Sequence, residues 1–170
     1  MGIFKRLMKF KQQKMGQKIE NRTLLNVRVG DRITYELEDY EVVGKIIFND
    51  HGFQWFEYQL ENVDRTLCLS VKMADELEVR VYHKLKKKIV EPIPNCIEWE
   101  DEDYFLDEKG AANVSGQGRH NRLSGQTIRY FAYSNENKSS YLSVEIWEID
   151  IEVNKGIPAQ ALDFTIIAGS

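Results

Sequence analysis

Glu148-Ile149-Asp150-Ile151-Glu152-Val153 alternates charged and apolar side chains at every step, and Glu76-Leu77-Glu78-Val79-Arg80-Val81 does the same 72 residues earlier. A period of two is that of a β-strand with one face covered and one wet. Outward from these runs the two copies keep matching. Leu69-Ser70-Val71 is echoed by Leu142-Ser143-Val144, Glu61-Asn62 by Glu136-Asn137, and Phe56-Glu57-Tyr58 by Phe131-Ala132-Tyr133. Further upstream Glu38-Asp39-Tyr40 is echoed by Glu102-Asp103-Tyr104. The offset grows from 64 to 75 and settles at 73 and 72, so a few small gaps align the copies. The extra length falls in residues 109–125, read as a loop that tolerates insertion.

The fold predicted is therefore mainly β: two tandem related antiparallel β units packed as a sandwich or barrel-like body, preceded by an N-terminal amphipathic helix. Neither copy has enough strands to bury a core alone. Pro92 and Pro94 mark the junction, giving a helix over 1–22, a first β unit over 23–91 and a second with its tail over 92–170. Leu25, Val27 and Val29 alternate with polar residues, Gly30-Asp31 turns, and Ile33, Tyr35 and Leu37 follow. Tyr40–Phe48 is β-branched and aromatic, and Asn49-Asp50-His51-Gly52 is a hairpin signal. The apolar phase switches between Trp55 and Phe56, which predicts either a bulge or a strand buried on both faces. Leu142–Val153 reads as one half-exposed last strand, and Pro158–Ala168 as a short helix leading into an edge-covering strand, Phe164–Ile167.

Composition agrees with a soluble globular domain: 170 residues, 42% hydrophobic and 29% charged. A net charge of −4 argues against a nucleic-acid partner. No run of eighteen apolar residues exists to form a spanning helix. Lys5, Arg6, Lys9 and Lys11 interrupt any secretory h-region, which places the protein in the cytoplasm by expectation.

The charge is uneven. Residues 1–20 hold six cationic side chains against Glu20 alone, a balance of +5, so the other 150 residues carry −9. Ile3, Phe4, Leu7, Met8, Met15 and Ile19 recur at helical spacing, with Lys5, Arg6, Lys9 and Lys11 around them. Such a helix suits an anionic membrane surface. The same face also suits a partner protein or the protein's own body. The binding residues expected are Ile3, Phe4, Lys5, Arg6, Leu7, Met8, Lys9 and Lys11.

Motifs for chemistry are sparse. Cys68 and Cys96 lack zinc-ligand spacing and read as reduced thiols, core or half-buried. His51, His83 and His120 do not pair at i, i+4, so no metal is expected. The acidic run Glu98–Glu108 lacks calcium-loop spacing. The segment Gly110–Gly125, with Gly116, Gly118, Arg119 and Arg122, has anion-cradling residue types but is no P-loop; it reads as a solvated hairpin loop. An enzyme built on the acidic segment and His120 has little behind it, and no catalytic residue or cofactor is expected. Seven aromatic residues, among them Trp99, Tyr104 and Tyr130, are candidates for a barrel mouth. Trp55, Tyr58, Tyr133 and Trp147 form the ligand pocket expected.

Val29-Gly30-Asp31, Tyr40-Glu41-Val42-Val43-Gly44, Trp55-Phe56-Glu57-Tyr58-Gln59-Leu60 and Leu142-Ser143-Val144-Glu145 together resemble the bacterial family called domain of unknown function 4178, over about residues 25–155. The resemblance implies a β-rich cytoplasmic protein, often encoded near membrane-stress proteins of the phage-shock type, and brings no catalytic residues. The opening Met1-Gly2-Ile3-Phe4 also resembles the start of those phage-shock proteins, whose N-terminal helix binds membranes. The function expected is a non-enzymatic adaptor, held on the inner face of the membrane or on a membrane-stress protein by its N-terminal helix. The alternative is a small-ligand-binding β-barrel.

Overall fold

The computed structural model describes residues 21–170; the helix and binding residues expected within 1–20 lie outside them. The described chain forms β1 (Arg32–Tyr35), β2 (Glu38–Asp50), β3 (Phe53–Glu61), β4 (Thr66–Met73), β5 (Leu77–Lys84), β6 (Cys96–Trp99), β7 (Glu102–Gly118), β8 (Thr127–Ser134), β9 (Tyr141–Trp147), β10 (Asp150–Ala159) and β11 (Phe164–Ile167). Eight of these close into an antiparallel barrel in the order β2-β3-β4-β5-β10-β9-β8-β7, with β7 returning to β2. The two strand quartets do not stack as a sandwich. They share hydrogen bonds at both seams, β5 with β10 and β2 with β7. Closure removes the edges that an open sheet would expose.

Both long strands change partner halfway. The first residues of β2 pair with β1, and Gly44–Asn49 pair on that side with β7. The first residues of β7 pair with β6, and Asn113–Gly118 pair with β2. A bulge bends each strand near the changeover, between Val42 and Gly44 in β2 and between Leu106 and Glu108 in β7. The two bulges are 64 positions apart, and so are Asn49 and Asn113, which face each other across the seam.

Alternate side chains point inward, and the rest form two cores on the outer face. One joins Tyr58, Leu60, Leu69 and Val71 to Leu24, Val27, Ile33, Tyr35 and Phe164. The other joins Tyr133, Leu142, Val144 and Val153 to Ile97, with Ile89, Ile93 and Trp99 against them. Each fully buried side chain of this kind contributes about 1.5–3 kcal/mol of transfer free energy. Tyr58 donates its hydroxyl to the Leu24 carbonyl and Tyr133 to that of Pro94, both at 2.8 Å. Each tyrosine thus ties the segment preceding its half to the barrel wall. In the Val29-Gly30-Asp31 turn Gly30 takes φ +94°, and buried Asp31 accepts from Arg22 Nε, Arg28 N and Gly169 N at 2.8–2.9 Å. Burial alone would raise the Asp31 pKa, but these donors hold it below the usual carboxylate value.

The echo Glu38-Asp39-Tyr40 and Glu102-Asp103-Tyr104 has a physical basis. Tyr40 donates to Glu38 at 2.9 Å and Tyr104 to Glu102 at 3.2 Å. Asn62 Nδ2 donates to Glu38 at 3.0 Å, and the corresponding donor to Glu102 is Asn135 at 2.8 Å, not Asn137. Asn62 and Asn135 each also accept main-chain N–H groups of the turn that follows.

Two local readings change, and one open alternative is decided. Leu142–Val153 is not one strand: Glu148-Ile149 is a two-residue turn, with Glu148 at φ +51° and Ile149 90% exposed. No glycine or asparagine announces it. Residues 110–118 are strand, not loop; their small residues admit close neighbours across the seam. The phase switch at Trp55/Phe56 is no bulge, because β3 pairs regularly with β4 while burying side chains on both faces. The tail folds as expected, a 3-10 turn at Ala161–Asp163 followed by β11, which pairs with β1.

Candidate functional site: the barrel lumen

The register fixes the inner wall. Ile46 faces Glu57, Glu57 faces Ser70, and Ser70 faces Arg80 around one side. Glu152 faces Glu145, and Glu145 faces Tyr130 around the other. One end of this wall is apolar. Phe48 stacks on Trp55 with centroids 5.0 Å apart, and reaches Trp147 at 6.3 Å. Trp55 meets Tyr130 edge-on at 5.1 Å. Ile46, Ala112, Val114 and Ile128 complete the cluster. Contacts between strands that are not neighbours, such as Trp55 with Tyr130, place these rings across the interior rather than along one wall.

The remaining interior is open, with polar and apolar side chains both lining it. A cavity of about 810 Å³ is lined by Trp55, Lys72, Arg80, Tyr130 and Tyr141, and one of about 470 Å³ by Gln59, His83, His120, Trp147 and Glu152. Glu57, Tyr82, Ser143 and Glu145 line both, so they form the waist between the two cavities. Glu145 is buried and Glu57 half-buried, its residual surface turned to the cavities.

Glu57 and Glu145 come from β3 and β9 and are hydrogen-bonded to each other. Burial, then the facing Glu145 charge, pushes Glu57 well above the glutamate range. Burial raises Glu145 to about 7, against the opposing pull of the Trp147 indole N–H, which donates to it at 3.0 Å. Glu57 is thus the protonated partner, donating to Glu145. Cys68 Sγ–H points at Glu57 at 3.6 Å, and burial with the nearby carboxylates keeps that thiol protonated. Neither Glu57 nor Glu145 has an ion-pair partner among the described residues. The nearby cations are committed elsewhere: Lys72 to Glu108 at 3.0 Å, Lys84 to Glu152 at 3.0 Å, and Arg80 to Glu78 at 3.4 Å. Arg80 also lies over the Tyr141 ring, 3.8 Å from its centroid. Burial lowers the His120 pKa and favours its neutral form.

Of the four pocket residues expected from sequence, Trp55 and Trp147 line the lumen. Tyr58 and Tyr133 do not: they occupy the other phase of their strands and lie in the outer cores. The waist carboxylates, Arg80 and Tyr82 were missed. The available signal was a strand apolar in both phases, Trp55 to Leu60, which leaves no wet face for Glu57. Cys68 lies in the lumen, whereas Cys96 is exposed rather than half-buried. His120 faces the smaller cavity, away from Glu98, Glu100, Asp101 and Asp103, which are exposed. Among the described residues no group of acids, histidines and cysteines is arranged to hold a metal. Arg119, one of the arginines of the anion-cradle reading, pairs with Glu61.

The profile of the family described as Domain of unknown function (DUF4178) matches residues 28–161. The chain belongs to the DUF4178 family. The match takes in the whole of the eight-stranded DUF4178 barrel, so the lumen is built from family-matched chain. No curated protein and no solved structure matches this DUF4178 chain. Among its described residues no helix is long and apolar enough to cross a membrane.

Proposed function

We propose that this DUF4178 barrel binds a small molecule in its lumen. The observation that carries this reading is the pair of adjacent cavities, about 810 and 470 Å³, lined by aromatic rings together with many polar and charged side chains. That size and lining suit a ligand site. The lumenal thiol of Cys68 is held protonated, which disfavours it as a nucleophile. The matched bulges and seams support descent of the two halves from one duplicated unit. Phenethylamine, 2-phenylethanol and phenylacetate at millimolar concentration test the reading through tryptophan fluorescence. At least one should perturb the emission, and Trp55→Phe or Trp147→Phe should diminish the response while Trp99→Phe does not. Silence with all three, or a response carried by Trp99, contradicts it.

A second reading concerns the N-terminus. The +5 balance of residues 1–20, with Ile3, Phe4, Leu7 and Met8 at helical spacing, supports a peripheral anchor on the anionic inner face of the cytoplasmic membrane or on a membrane-stress protein. Full-length protein should co-sediment with anionic vesicles. Phe4→Asp should weaken this more than Lys5→Ala, because apolar insertion dominates. Equal pelleting of a chain lacking residues 1–20 contradicts it.

A further inference from the structure

Two carboxylic acids from opposite walls meet at the waist, and the cations near them are paired with other carboxylates. The groups facing Glu57 and Glu145 are Cys68 of β4, Arg80 and Tyr82 of β5, Glu152 of β10, Trp147 of β9 and His120 beyond β7. Arg80 is engaged by Glu78 and stacked on Tyr141, and His120 is held neutral. A buried pair of acids without a counter-ion cannot ionise fully at modest cost. In the free protein a shared proton relieves the repulsion. The cavities on either side, which Tyr82 and Trp147 help to line, leave room for a larger cation to do so.

Resting on the lumenal reading above, we propose that the ligand is a small organic cation, an ammonium or guanidinium compound, that docks between Glu57 and Glu145. On binding, the proton held between the two carboxyls leaves for solvent, and the cation takes over the charge balance. Anions are disfavoured at the waist itself, because an incoming carboxylate would meet two acids there.

The matched panel separates this inference from the reading beneath it. In calorimetry with the full chain, phenethylamine should bind at least tenfold tighter than 2-phenylethanol or phenylacetate. Paired buffers of different ionisation enthalpy should report net proton release on amine binding at pH 6, and less at pH 8, where Glu145 has already ionised. Glu57→Gln and Glu145→Gln should each weaken amine binding at least tenfold, with circular dichroism confirming the fold. If 2-phenylethanol or phenylacetate binds as tightly while Trp55 and Trp147 respond, the cationic class is overturned and the lumenal site stands. Unchanged amine affinity in both variants overturns the assignment to the waist. If no compound disturbs the lumenal tryptophans, both readings fall.

Discussion

Glu145→Gln is expected to make the folded protein more stable above neutral pH and to change little at pH 4. The Glu145 carboxyl is raised from an ordinary value near 4.5 to about 7, chiefly by burial. A raised acid keeps its proton longer in the folded state than in the unfolded one. Stability is therefore fully present below about pH 4.5 and lost as pH rises toward 7, after which no more is lost from this group. A shift of this size corresponds to roughly 3 kcal/mol. Glutamine cannot ionise, yet its Oε1 still accepts from Trp147 Nε1 and from Glu57, so the variant escapes the loss without breaking the contacts. For a domain of this length each kcal/mol moves Tm by about 2–4 °C. Thermal melts at pH 4 and pH 8 check it. A destabilised variant at pH 8 would mean that Glu145 is ionised at no cost, in a setting unlike the closed lumen.

Gly116→Ala is expected to destabilise by about 3 kcal/mol and to displace the segment around His120 from β7, a cost typical of overpacking against atoms that cannot swing aside. A Cβ at Gly116 would lie 1.8 Å from the His120 carbonyl oxygen, which is backbone. Gly116 faces Ile46 across the seam, and the 118–125 segment folds back over it. Ser124 holds that segment to Gly116 through two hydrogen bonds, at 2.9 and 3.0 Å. Gly125→Ala is the contrast. It has open space around its Cβ but φ +87°, so it should cost only about 1 kcal/mol of backbone strain. Urea denaturation of the two variants gives the comparison, and equal midpoints would contradict the close packing of the His120 segment on Gly116.

The β class was legible because Leu77–Val81 and Ile149–Val153 both show the strand period. The pairing of Glu38-Asp39-Tyr40 with Glu102-Asp103-Tyr104 was legible because each tyrosine needs its glutamate. Closure was not, since nothing local in Gly44–Asn49 or Asn113–Gly118 states that two distant strands will pair. The seam strand β7 looked like a loop because Gly110 and Gly116 are needed for close approach, and glycine carries the same letter in a turn. At Gly110 an added Cβ would meet the Tyr130 hydroxyl at 2.7 Å and Asp50 at 2.8 Å. The lumen was half legible. Trp55 and Trp147 stood out by size, but which phase of β3 faces inward is a property of the closed barrel. Tyr58 and Glu57 were therefore indistinguishable until the register was known.

The most direct test is a crystal structure of the full chain with phenethylamine. The ammonium is expected between the Glu57 and Glu145 carboxylates, with the phenyl ring extending along the lumen beside Trp147. A ligand seated only on the outer face, or a lumen filled by side chains with no room at the waist, would contradict the account.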